Sequence, residues 1–240
     1  MIIRFSKILD FIYPRFCQFC SKKVDRLEGN LCSSCLMRVP FLPVNGCCAV
    51  CSRPVEGFSG SYVCDECLRD KPHFDKAVQA VSFSGSTRQM ILDYKFKNKY
   101  YLSVDFALWL DAAARARLQV SEIDAVVAIP AKKDPSFERD YNHAELLAKH
   151  LSRLFDRKKV NGFIRIGNPK RQSSLSEKER RENVKNTFMV TKPSDIKGRT
   201  ILLVDDIMTT GSTFSEASRV LKEAGAWRVW ALSIARSMRN

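Results

Sequence analysis

Ile201-Leu202-Leu203-Val204-Asp205-Asp206-Ile207-Met208-Thr209-Thr210-Gly211-Ser212-Thr213 changes character twice within thirteen residues. Four apolar residues read as a buried strand. Two adjacent carboxylates, Asp205 and Asp206, are expected at its C-terminal end. A short Thr/Gly/Ser loop follows, and a helical pattern begins after it. Open α/β sheets bind ligands at that place, outside the carboxyl ends of their strands. Free backbone N–H groups, the hydroxyls of Thr209, Thr210 and Ser212, and the positive end of a helix dipole together make a phosphate cradle. Gly211 lets the backbone approach an anion closely. The plainer reading is a strand–turn–helix capped by Ser212 or Thr213. Paired acids at the end of a buried strand weigh against it, because their desolvation is unfavourable unless something uses them.

Around this stretch the chain alternates strand and helix patterns. Residues 77–83 alternate as a strand, Ser84-Gly85 turns, and 86–97 carry Met90, Ile91 and Tyr94 at helical spacing. Lys95 and Lys97 near that helix end either complement its dipole or form a basic lip over a site. Residues 104–118 read as an amphipathic helix, and 124–130 as a buried strand closed by Pro130. A polar loop, 131–143, leaves that strand end, as a binding loop does. A helix over 144–155, a short strand over 162–166 and a basic loop over 165–185 come next. The helix over 213–224 stops at Gly225, and 227–235 form a last strand. The expected fold class is α/β, a mainly parallel sheet flanked by helices.

All nine cysteines lie in the front third of the chain. Eight form Cys-x-x-Cys pairs: Cys17/Cys20, Cys32/Cys35, Cys48/Cys51 and Cys64/Cys67. Two such thiolate hooks close a tetrahedral four-cysteine site, so the pattern predicts a double zinc ribbon with two structural Zn2+ ions. Sequential and cross-braced pairing both satisfy the spacing. A disulfide framework needs an oxidising compartment. Cys47 is left over. Four thiolates leave no open metal position, and so small a segment draws its folding energy from the metal. The expected organisation is an N-terminal helix over 1–16, a double zinc ribbon over 17–75 and the α/β domain over 76–240.

The formal charge is +14, from 40 basic and 26 acidic side chains. Residues 1–75 hold 10 Lys/Arg and 8 Asp/Glu, so +12 sits in the remainder. A basic body suits anionic partners: phosphates, nucleic acid or an acidic surface. No apolar run is long enough to span a membrane. Met1-Ile2-Ile3-Arg4-Phe5-Ser6-Lys7-Ile8-Leu9-Asp10 lacks the unbroken apolar core of a signal peptide, and a cytoplasmic location is expected. Oligomeric state is not legible.

Val204-Asp205-Asp206-Ile207-Met208-Thr209-Thr210-Gly211-Ser212-Thr213 resembles the phosphoribosyl-diphosphate (PRPP) motif of type I phosphoribosyltransferases. The resemblance implies that Asp205 and Asp206 contact ribose hydroxyls, while Thr209, Thr210, Gly211, Ser212 and Thr213 hold the 5′-phosphate. With the cysteine pairs in front, nearly the whole chain is similar to the ComF/GntX family. Further marks are Tyr94-Lys95-Phe96, Asn142, Gln172, Arg180, Asn183 and Ile234-Ala235-Arg236. The family implies PRPP and Mg2+ as ligands, with Lys132, Lys133, Arg139 and Asn142 near the diphosphate and a flexible loop closing over it. It also implies a link to competence and single-stranded DNA uptake. In that second reading the fold is retained as a non-catalytic single-stranded-DNA or competence-protein partner. Asp140 and His143 depart from the glycine and glutamine usual in the family, and Asp140 puts a negative charge near the expected diphosphate. His143 keeps the capacity to donate a hydrogen bond.

Overall fold

The computed structural model describes residues 15–24, 29–55, 60, 62–131, 142–166 and 186–237. Residues 1–14 of the N-terminal helix expected over 1–16, the loop cations Lys132, Lys133 and Arg139, Asp140, and most of the basic loop lie outside the described residues; Arg15 and Phe16, the expected end of that helix, form a strand instead.

The front of the chain holds two small ribbons. The first contains β1 (Arg15–Phe16), antiparallel to β2 (Lys23–Val24), and the one-turn helix α1 (Ser33–Leu36). The second ends in α2 (Asp65–Arg69). The two are local repeats. In each, the serine after the first Cys-x-x-Cys pair, Ser21 or Ser52, takes a positive φ and donates its N–H to the carbonyl of Cys17 or Cys48. The N–H of that same cysteine returns to the carbonyl of Lys22 or Arg53. In each, the third cysteine, Cys32 or Cys64, caps the short helix that carries the fourth.

Next come β3 (Lys76–Ser82), α3 (Gly85–Phe96), α4 (Ser103–Arg117), β4 (Ala125–Ala128), α5 (His143–Leu154) and β5 (Lys158–Lys159). The chain continues through β6 (Phe163–Arg165), β7 (Phe188–Val190), β8 (Thr200–Met208), α6 (Ser212–Glu223) and β9 (Arg228–Arg236). Five strands form one sheet in the order β3-β9-β8-β4-β5, parallel throughout. Strands β6 and β7 pair antiparallel as a separate ribbon. The sequence pattern of 162–166 did not reveal that arrangement, because β7 is only three residues long.

Strand periodicity divides the core. Val78, Val126, Leu202, Val204, Trp230 and Leu232 face α3, α4, α5 and the first ribbon. Ala77, Ala125, Val127, Ile201, Leu203 and Ala231 face α6, the β6/β7 pair and the second ribbon. The two ribbons thus join opposite faces of one sheet. Residues 201–204 are completely buried, which accounts for their unbroken apolar run.

Candidate functional site

Strand β8 runs through both acids to Met208, pairing Asp205 with Ser233 and Met208 with Arg236 of β9. The acids therefore stand within the strand rather than beyond its end, because β9 is long enough to keep pairing. Parity then separates them. Asp206 shares the face of Leu202 and Val204, where Lys95 of α3 meets it with Nζ 2.6 Å from Oδ2. Asp205 shares the opposite face, within electrostatic reach of Arg165 on β6. The Asp206 N–H also donates to Asp205 Oδ1 at 2.8 Å. Burial, and after it the Asp206 charge, push the Asp205 carboxyl up to about 7 despite Lys95 and Arg165. Asp205 is thus a carboxylate short of a counter-ion.

Past Met208 the chain bends through residues 209–211 and enters α6. The N-cap is Gly211, not Ser212 or Thr213, and its φ of +82° is one that glycine adopts without strain. Gly211 has no side chain to cap α6, so the first-turn N–H groups beyond that of Ser212 remain available to an anion. The Thr210 and Ser212 hydroxyls lie 2.7 Å apart, and the Ser212 N–H donates to Thr210 Oγ1 at 3.3 Å. Ser215 N–H returns to the Gly211 carbonyl at 2.8 Å, closing the first helical turn.

Other residues expected at the site have structural engagements. Asn142 caps α5, accepting from the Ala144 N–H at 3.1 Å and donating to the Ile129 carbonyl at 3.2 Å. Both ends of its amide are occupied. His143, expected as a donor in the binding loop, is instead buried, with Nε2 2.8 Å from the Tyr94 carbonyl and its ring edge-on to Tyr94. The Tyr94 hydroxyl returns to the His143 carbonyl at 2.9 Å. That reciprocal lock makes His143 a joint between α3 and α5. Of the two lysines weighed at the end of α3, Lys95 reaches the candidate site, whereas Lys97 pairs with Asp93 at 3.0 Å. Arg165 went unrecognised because it sits in a two-strand ribbon whose partner lies far along the chain. Its Nε donates to the Pro130 carbonyl at 3.1 Å and its guanidinium stacks 4.6 Å over Phe188.

The eight paired cysteines form two clusters, Cys17/Cys20/Cys32/Cys35 and Cys48/Cys51/Cys64/Cys67, each with its sulfurs within 4.8 Å of one another. The pairing is sequential, not cross-braced. Zn–S bonds of about 2.3 Å put tetrahedral sulfurs about 3.8 Å apart. The Cys20–Cys32 and Cys51–Cys64 sulfurs are 3.7 Å apart in the two clusters, so both donor sets fit zinc. Among the described residues Cys47 stands apart from them, donating its thiol to the Pro43 carbonyl at 3.2 Å.

Comparison with known proteins agrees with this two-part build. Residues 8–68 match the double zinc ribbon domain family, and residues 142–238 match the phosphoribosyl transferase domain family. Competence protein F of Haemophilus influenzae is 28% identical over 226 residues, which span 92% of this chain and 96% of its own. The chain thus pairs a double zinc ribbon with a phosphoribosyl transferase domain and is similar to competence protein F over most of its length. DNA utilization protein YhgH of Escherichia coli is 28% identical over 214 residues, covering 78% of this chain and 89% of its own. Competence protein ComFC of Bacillus subtilis is 25% identical over 217 residues, covering 88% and 79%. In this chain the phosphoribosyl transferase domain carries β8, its acids and the loop into α6, and the double zinc ribbon carries both four-cysteine clusters. No helix among the described residues is long and apolar enough to cross a membrane.

Proposed function

We propose that this chain binds PRPP with Mg2+ at the end of β8 and transfers the phosphoribosyl group to an acceptor in the cytoplasm. One observation carries the reading: an uncapped helix N-terminus entered through a left-handed glycine, just past a strand bearing two acids. Asp205 and Asp206 accept hydrogen bonds from ribose hydroxyls. The N–H groups and hydroxyls of Thr209, Thr210, Gly211, Ser212 and Thr213 hold the 5′-phosphate. Lys132, Lys133 and Arg139, beyond the described residues, neutralise the diphosphate. Asp205 is the group best matched to a cation, since burial raises its carboxyl to about 7 and positive charge there would favour the ionised form. Mg2+ held there would supply electrostatic stabilisation of the departing diphosphate. In the transfer, the acceptor's lone pair forms a bond to ribose C1 as the bond from C1 to the diphosphate oxygen breaks. The diphosphate leaves with that electron pair, and the acceptor's proton passes to water.

Isothermal titration with PRPP and Mg2+ tests the reading. Wild type is expected to bind, and the Asp205→Asn/Asp206→Asn double variant to lose at least tenfold in affinity. Absence of binding to wild type, or equal binding by the variant, overturns it.

A second reading is favoured by the names of the relatives: a non-catalytic partner of single-stranded DNA. The net charge of +14 supports it. Electrostatic binding to a single strand weakens steeply with salt. Affinity that stays flat across a salt series contradicts this mode.

A further inference from the structure

Arg236, the last residue of β9, is 2% exposed. Among the described residues no carboxylate pairs with it. Its Nη1 donates to the Cys51 carbonyl at 2.7 Å and lies 3.5 Å from Gln79 Oε1 and 3.7 Å from Met208 Sδ. Gln79 is completely buried, and its Nε2 approaches the same Met208 sulfur at 3.2 Å. A guanidinium so enclosed requires negative charge as well as hydrogen bonds. Of the carboxylates lining the pocket that Arg236 lines, Glu66 pairs with Arg53 and Glu216 with Arg219; the second cluster adds formal charge of its own, since four thiolates with Zn2+ carry −2. Cys51, whose carbonyl Arg236 holds, is one of those four ligands.

The other end of this network is the candidate phosphate loop. Met208 is the residue before it and pairs with Arg236 across the sheet. The segment leaving the second ribbon lies against the loop. The Phe74 ring would be 3.7 Å from a Cβ on Gly211, and the His73 N–H donates to Ser215 Oγ at 3.1 Å in the first turn of α6. Arg236, Cys51, Phe74, Met208 and Gly211 line one pocket between ribbon and loop.

We infer that Arg236 is the counter-ion of the second four-cysteine centre and, through Met208, a positioning residue for the phosphate loop, so that metal at this centre and an anion at the loop stabilise each other. The anion half rests on the function proposed above; the Arg236–cluster half does not. Binding linkage is reciprocal: if the charged centre orders the loop, an anion on the loop must tighten the centre. Among the described residues the first cluster has no such connection, and it provides the internal control.

The test follows zinc-loaded, full-length protein under a chelator, with the alkylation rate of each cysteine read by mass spectrometry. Inorganic phosphate or PRPP with Mg2+ is expected to slow labelling of Cys48, Cys51, Cys64 and Cys67 several-fold and leave Cys17, Cys20, Cys32 and Cys35 unchanged. Arg236→Met is expected to speed labelling of the second set at least tenfold and to abolish the phosphate effect. Arg236→Lys, which keeps the charge and loses the fork, restores part of both. Slowing by inorganic phosphate without any PRPP binding would uphold the coupling and remove the PRPP reading. Second-set labelling in wild type that ignores both anions, or responds no more than the first set, overturns the inference without reference to any variant. A folded Arg236→Met protein that labels like wild type overturns it as well.

Discussion

The two zinc ribbons share a local plan and differ in what they touch. Each has the same serine-turned knuckle and the same cysteine-capped short helix. The first leaves Cys20 exposed and packs on the face carrying α3, α4 and α5. One tie to the body is Asn30, whose N–H and Nδ2 donate to Asp105 of α4 at 3.0 and 2.5 Å; another is Gln18, which accepts from Lys99 Nζ at 3.0 Å. The second buries Cys48, Cys51 and Cys64, packs with α6, and reaches the loop ahead of that helix. A duplicated metal module can thus serve as a brace at one copy and as a wall of the binding site at the other. The neighbours decide which, since the metal geometry is the same.

Breaking the second centre is the sharpest way to probe that difference. Cys51→Ser is expected to lower the zinc content from two ions to one, unfold the second ribbon and reduce PRPP affinity by tenfold or more. A structural zinc site is worth about 10 kcal/mol or more to its segment. Cys20→Ser is expected to lose one zinc too, but to keep PRPP affinity within about twofold. Metal analysis and titration of both variants check this; equal losses of affinity would erase the distinction.

A smaller effect is expected at the first ribbon's anchor. Asp105→Ala removes two charge-assisted hydrogen bonds, which amounts to about 2 kcal/mol. Denaturant unfolding should show that loss while PRPP affinity stays unchanged.

The site's own electrostatics give a pH test. The Asp205 carboxyl, raised from 3.8 to about 7, lends the ligand-free protein stability that is full below about pH 4 and lost as pH rises through 7. Asp205→Asn should therefore melt with wild type near pH 4 and above it at pH 8. Wild-type affinity for Mg2+ with PRPP should rise over the same interval, because the ligand takes the ionised form.

The smallest expected change is Gly211→Ala. The pocket has room for a methyl group, with Phe74 at ordinary contact distance, so the penalty comes from the positive φ alone, about 1 kcal/mol. Thermal unfolding should show a modest drop, with amide exchange rising in residues 209–213 and not in the first ribbon.

What the sequence disclosed follows from locality. Cysteine pairs at fixed short spacing and an apolar run ending in Asp205-Asp206 are signals within one element, and they locate both metal clusters and the loop. The direction in which each acid points needs the sheet register, which assigns Asp206 to Lys95 and Asp205 to the side of Arg165. Arg236 stood in the sequence only as part of the family-like ending Ile234-Ala235-Arg236; its role depends on Cys51, which lies 185 residues away in the chain. His143 and Asn142 looked like loop donors because the sequence does not show that one is locked to Tyr94 and the other caps α5.

Amide hydrogen exchange on the zinc-loaded protein, with and without PRPP and Mg2+, tests the account most directly. Protection is expected in residues 205–215 and, through the shared pocket, in residues 66–74 of the second ribbon, with the first ribbon unchanged. Protection confined to other segments, or none at saturating PRPP, would contradict a phosphoribosyl site walled by the second zinc ribbon.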